Sequence, residues 1–154
     1  MAETTHLVIG SHKRTIKVLQ AIARGLWVVG YDWVLGSIAR ASWLDEEKFE
    51  AVAWFPGCRS SRLEHERGLP PLLSGTKVFV NGRNISPPFE ELSLLLISCG
   101  AELMPSFHSC TLCLSSSTAI RPKKNPQKIP ILRVDWLIDS LQDYAKKDYS
   151  PYLF

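Results

Sequence analysis

The longest apolar run, "LSLLLI" at 92–97, interrupted only by Ser93, is far shorter than the roughly 20 residues a membrane helix needs. No segment is therefore read as a membrane span, and no membrane partner is expected. Cysteine is scarce: four residues, Cys58, Cys99, Cys110 and Cys113, spaced too irregularly for a disulfide framework. No signal peptide precedes them, which favours a reducing compartment. Neither sign of charge dominates. Eighteen Lys and Arg against 15 Asp and Glu leave a net charge of +3, milder than in domains that hold nucleic acid by charge alone. There is no Gly-rich phosphate loop, no GxSxG and no HExxH. His6, His12, His65 and His108 are scattered. No catalytic constellation emerges, so neither an enzyme nor a cofactor is expected. The chain does have enough apolar residues for a core. At 154 residues, 45% hydrophobic and 21% charged, it has the composition of one ordinary domain or two small ones.

Two segments match each other. "WVVGYDWVLGSI" (27–38) and "PILRVDWLIDSL" (130–141) align without gaps. Asp32 meets Asp135, Trp33 meets Trp136, Ser37 meets Ser140 and Ile38 meets Leu141, each pair 103 positions apart. In both, a buried strand runs into an Asp that reads as an N-cap, followed by an amphipathic helix opening on Trp. The second copy reads in full. "GTKVFV" (75–80) is a strand. "SPPFEELSLLLISCGA" (86–101) is a helix with Ser86 as cap, Pro87 in its first turn, Leu92, Leu95, Leu96 and Cys99 as its buried stripe, and Gly100 as its stop. Short strands follow near 101–104 and at 111–115, then a Pro- and Lys-rich loop (117–129) and the last strand and helix. Strands alternating with helices predict a parallel sheet flanked by helices, an α/β fold. In the first copy, "HLVIG" (6–10) corresponds to "TLCLS" (111–115). The strand, helix and strand that precede this point in the second copy have no counterpart, so the first repeat is expected to be N-terminally truncated. The expected organisation is a first repeat over 1–55, a linker over 56–73, rich in Pro, Gly, Ser and charge, and a second repeat over 74–154.

The stretch "SHKRTIKVLQAIARG" (11–25) has Ile16, Leu19, Ile22 and Ala23 at helical spacing. His12, Lys13 and Arg14 are read into its first turn, with Lys17 just inside. A helix N-terminus is already partly positive, and each misplaced cation is unfavourable by roughly 0.3–1 kcal/mol unless an anion compensates. Free N–H groups and the helix dipole form an anion site there, and a nearby Lys adds a charge-assisted bond to a phosphate.

"THLVIG", "RTIKVLQAIARGLWVVGYDWV", "WLDEEKFE", "SCGAEL" and "VDWLIDSLQDY" together resemble a tandem pair of BRCT domains, over nearly the whole chain except the linker and the basic loop. The resemblance implies two small parallel sheets ordered 2-1-3-4 and a phosphoserine-peptide-binding module. Lys17 would hold the phosphate, Thr15 would support that Lys, and Arg14 would contact the peptide main chain or its C-terminal carboxylate. Leu19, Ser86, Pro87 and Ile138 would line a specificity groove for an aromatic third residue after the phosphoserine; plain core packing is the competing role for each. It further implies a nuclear DNA-damage and cell-cycle role, with work in chromosome condensation and at the centrosome. The implied partner is a phosphorylated protein tail, the C-terminal phosphoserine peptide of a histone variant. In the family a hydroxyl and a Gly N–H at the end of the first strand also hold the phosphate. With that strand missing, weak binding and marginal stability of the first repeat are expected.

Three further readings stay open. The complete second repeat could serve as a phospho-independent scaffold. "RPKKNPQK" (121–128) is a solvated basic loop or a weak nucleic-acid contact, without interleaved aromatics for stacking. "CTLC" (110–113) with His108 lacks a second ligand pair for zinc. Its cysteines are read onto a strand, on opposite faces.

Overall fold

The computed structural model describes residues 3–154. They divide into two compact units, the first running to Leu69 and including Leu141–Tyr144, the second Pro70–Ser140 with Ala145–Phe154.

In the first unit, β1 (His6–Ile9) pairs in parallel with β2 (Trp27–Gly30), and α1 (Ile16–Ala23) forms the crossover between them. Among the described residues this sheet has two strands. Val18, Leu19, Ile22, Val28 and Val29 are buried in its core. α2 (Tyr31–Arg40) follows β2 directly. α1 begins later than its sequence suggests. Thr15 is the N-cap, its side chain accepting from the Val18 N–H at 3.3 Å, so His12, Lys13 and Arg14 precede the helix and Lys17 is the only one of the four cations within its first turn. Threonine wins the cap because its hydroxyl serves an N–H that the basic side chains cannot. Asp32 is not a cap either: α2 starts at Tyr31 with Gly30 as cap, and Asp32 sits in the first turn, where its charge suits the dipole.

Residues 56–73 are not a plain linker. α3 (Gly57–Glu66) occupies most of the stretch, and a buried ionic network ties it to the first unit. Arg62 donates to both oxygens of Glu50 at 3.0 and 3.1 Å, and Arg59 reaches the same carboxylate at 2.9 Å. The Arg62 guanidinium also lies 3.6 Å from the centroid of the Trp27 ring. Glu50 is 7% exposed and Arg62 5%. The Glu50 hydrogen bonds hold the Arg62 pKa above the usual arginine value. Composition hid this helix because its buried face is polar rather than aliphatic.

The second unit holds a four-stranded parallel sheet in the order β4-β3-β5-β6, from β3 (Lys77–Asn81), β4 (Glu102–Leu103), β5 (Leu112–Ser115) and β6 (Ile131–Arg133). In repeat terms this is the 2-1-3-4 order. α4 (Phe89–Ser98) joins β3 to β4 and buries Leu92, Leu95, Leu96 and the following Cys99, as the sequence predicts. It starts two residues later than expected. Ser86 and Pro87 lie outside it, joined by a cis peptide bond, and Pro88 in extended conformation occupies the cap position. A residue followed by proline is disfavoured in helical geometry, which keeps Pro87 out of the helix. Cys110 precedes β5, at the end of a 3-10 turn, and shares one core cluster with Cys113, Phe107 and Ile129. The two cysteines therefore do not face opposite sides of a strand. Burial raises both thiols, Cys113 to about 12.

The internal repeat continues past the matched letters. Trp33 Nε1 donates to the Leu44 carbonyl and Trp136 Nε1 to the Lys147 carbonyl, both at 2.9 Å. The N–H of Leu44 donates to Ser37 Oγ and that of Lys147 to Ser140 Oγ, both at 3.1 Å. Ala41 and Tyr144 both turn through positive φ, at 55° and 47°. Val29 bridges to Glu50 as Leu132 bridges to Leu153. Each pair keeps the offset of 103.

Candidate functional site

The start of α1 gathers three of the residues singled out in the sequence. Thr15 is exposed and occupied as the cap. Lys17 is exposed, one residue into the helix, and no acidic side chain shares its turn. The N–H groups of Ile16 and Lys17 lie ahead of the first intrahelical bond, Leu19 N–H to the Thr15 carbonyl at 3.1 Å, so they have no intrahelical acceptor. Arg14 is exposed and donates through Nη1 to Gln142 Oε1 within the same unit. An anion placed here would meet two backbone donors, the helix dipole and one ammonium.

The remaining predicted residues divide between the units. Leu19, on the same helix, is 3% exposed and belongs to the core of the first unit. In the second unit Ser86 is exposed, while Pro87 and Ile138 are half-buried. Ser86 lines a cleft with Ser115, Ser116, Ser117 and Arg133.

Sequence reasoning missed a second cleft, at the carboxyl ends of β1 and β2. Ser11, His12, Tyr31, Asp32, Lys48 and Trp54 line it; Arg14, Thr15 and Lys17 do not. His12 is exposed, and its ring stacks on that of Trp54, with centroids 3.6 Å apart. Open α/β sheets place ligand sites at strand carboxyl ends. That rule, applied to "GSH" after the first strand, was the available signal. His6 is tied into the first unit by its ring. Its Nε2 lies 2.9 Å from Glu46 Oε1 and its ring stacks 5.1 Å from that of Trp33.

Residues 1–38 match the family model for the BRCA1 C Terminus (BRCT) domain. The Schizosaccharomyces pombe Brc1 BRCT5-BRCT6 structure superimposes with a TM-score of 0.70 at 18% identity, covering 92% of this chain and 78% of that one. The fold is that of a tandem BRCT pair. A structure of Rtt107p with phosphorylated histone H2A has a TM-score of 0.59 at 12% identity and covers 93% of this chain and 72% of that one. In sequence, the chain is 32% identical to mouse microcephalin over 155 residues, which is 97% of this chain and 18% of that protein. The chain thus spans about a fifth of the length of that relative, and its BRCT repeats are similar to a part of it. Within the BRCT frame, α1 stands between the two strands of the first unit, while the second unit joins the equivalent strands β5 and β6 by a loop.

Proposed function

We propose that the chain is a phosphoserine-peptide-binding tandem BRCT module of a microcephalin-like protein, acting in the nuclear DNA-damage response and cell cycle rather than as an enzyme. The observation that carries this reading is the start of α1: an exposed Lys17 and the Ile16 and Lys17 N–H groups at a helix end with no acidic side chain in its first turn. Lys17 neutralises the phosphate, Thr15 fixes the helix start beneath it, and Arg14 reads the peptide beyond the phosphoserine. Leu19, Ser86, Pro87 and Ile138 remain the candidate specificity residues. Histone tails are the first ligand class to try, because the structurally similar Rtt107p binds phosphorylated histone H2A. Chromosome condensation and centrosome roles belong to the same proposal.

The test is fluorescence anisotropy with a phosphoserine peptide carrying an aromatic third following residue, against its unphosphorylated twin. Phosphate-dependent binding that falls at least about tenfold in Lys17→Glu, equivalent to about 1.4 kcal/mol, is the expected result. Equal binding of the two peptides would overturn it.

A second reading, a phospho-independent scaffold built on the second repeat, rests on α4. Phe89, Leu94 and Ile97 are all exposed along it, an apolar surface of the kind that docks protein partners. It predicts partner binding that survives Lys17→Glu and is lost in Leu94→Asp/Ile97→Asp.

A further inference from the structure

The second unit carries a cleft that the preceding reading does not use. It opens at the carboxyl ends of β5 and β6, beside the N-terminal end of α5 (Asp135–Asp143). Its walls are unusually rich in hydroxyls: Ser86, Ser115, Ser116 and Ser117, joined by Asn84 and the guanidinium of Arg133. We propose that this cleft is a second anion site, one that takes the phosphorylated serine or threonine side chain of a peptide, with the basic segment 121–128 as its rim.

Four observations converge on this. Ser116 Oγ is buried with no hydrogen-bond partner among the described residues, and the residue is only 9% exposed. A buried hydroxyl without a partner is costly, and a phosphate oxygen would satisfy it. Gly82, at φ 112°, faces that hydroxyl so closely that a Cβ there would collide with Ser116 Oγ. Only glycine keeps the hydroxyl in place. Arg133 retains donor capacity. Its Nη2 donates to the Pro151 carbonyl at 2.7 Å, and its Nε is 3.8 Å from Asp135 Oδ2, too long for a hydrogen bond. The remaining N–H groups of the five on the fork are open to a ligand. Finally, Phe154 lines the cleft, and the Arg121 guanidinium lies 4.5 Å from its ring centroid. That contact brings the first cation of "RPKKNPQK" to the edge of the cleft.

Asp135 also lines the cleft and opposes an anion; Arg133 and Arg121 together outweigh its single charge. Ser115 Oγ already donates to the Ser116 carbonyl at 3.1 Å; the hydroxyls of Ser86, Ser116 and Ser117 beside two guanidinium groups match a phosphate monoester, with its charge near −2 and three acceptor oxygens. They match nucleic acid less well, because the cleft has one aromatic wall, Phe154, and the Arg121 guanidinium already lies against that ring, whereas base binding uses successive stacking platforms.

The experiment is an amide NMR titration of the full chain with inorganic phosphate, then with a short phosphoserine peptide and its unphosphorylated twin. Wild type, Lys17→Glu, Arg133→Gln and Ser116→Ala are compared. Expected are phosphate-dependent shifts at Ser115, Ser116, Ser117 and Arg133 that persist in Lys17→Glu, since Lys17 lies in the other unit. Affinity should fall at least fivefold in Arg133→Gln. Ser116→Ala should weaken binding while raising the melting temperature, because it removes the orphaned hydroxyl. A merely structural serine would not give both effects together. Shifts confined to Thr15–Val18, shifts at 115–117 that Arg133→Gln leaves unchanged, or a single-stranded oligonucleotide that binds through Arg121, Lys123 and Lys124 while phosphoserine does not, would each overturn the proposal.

Discussion

In the first unit, β1 reaches β2 through α1; in the second, β5 reaches β6 through a loop that carries Arg121, Lys123, Lys124 and Lys128. The strand–helix segment that follows is held in both by the same Trp and Ser hydrogen bonds. Its surroundings then diverge. Tyr31 and Ile38 are 54% and 70% exposed, whereas their counterparts Val134 and Leu141 are 8% and 0% exposed. Glu50, which binds Arg59 and Arg62, stands where the second unit has Leu153. The hydrogen-bonded frame of each repeat is thus set locally, by a Trp and a Ser eleven and seven residues before one shared backbone partner. What covers that frame, and what charge lies beside it, varies freely between copies. Basic character is kept in both copies but displayed differently, on a helix start in one and on a loop in the other.

The sharpest way to break this comparison is to give the first unit the second unit's residue. Glu50→Leu should destabilise the first unit by about 3 kcal/mol, because it removes the buried carboxylate that takes two of the Arg62 donors and leaves only the exposed Glu66, 3.1 Å from Nη1, as a partner. Adding Arg62→Met should recover most of the loss, since apolar replacement of a whole buried pair is often neutral. Urea unfolding followed by tryptophan fluorescence measures both. A single variant as stable as wild type would mean that α3 is held by other contacts.

A smaller effect tests the shared frame. Ser37→Ala and Ser140→Ala each remove the acceptor of one backbone N–H, Leu44 or Lys147. Each should cost about 1–3 kcal/mol, and the two costs should be similar. Destabilisation by one and not the other would show that the matched hydrogen bonds do unequal work in the two copies.

The repeat was readable because Trp33 and Trp136, with Ser37 and Ser140, are the residues whose side chains bond the backbone. The 2-1-3-4 order of the second sheet followed from the family resemblance once its strands and helices were located. Boundaries were less legible where two local preferences competed. Thr15 capping against an upstream basic run moved α1, and the successive prolines moved α4. α3 was invisible to apolar periodicity because Ser61, Arg62 and a glycine form much of its buried face. Of the candidate site, Thr15 and Lys17 could be placed at the helix start from sequence. The hydroxyl-lined cleft could not be read, because it gathers residues from 84 to 154 that only the sheet brings together.

The smallest predicted effect concerns acid. Glu46 accepts from His6, and that hydrogen bond, first among its influences, holds the Glu46 carboxyl below its ordinary value of 4.5; charge interactions with His6 and Arg62 act in the same direction. A carboxyl lowered by folding contributes stability above its unfolded pKa and loses it as the pH falls through the folded one. The first unit should therefore lose stability as the pH falls below 4.5. The pair is partly exposed, so the loss should stay below about 1 kcal/mol. The second unit has Tyr149 at the corresponding position, its ring edge-on to Trp136 at 5.4 Å, with no carboxylate to protonate there. Glu46→Gln should flatten the acid slope of the first unit and leave the second unchanged, as read by thermal unfolding between neutral pH and about pH 3.5 with amide signals from each unit followed separately. If the slope persists in Glu46→Gln, the His6–Glu46 pair is not its source, and the acid response does not distinguish the two copies at this position.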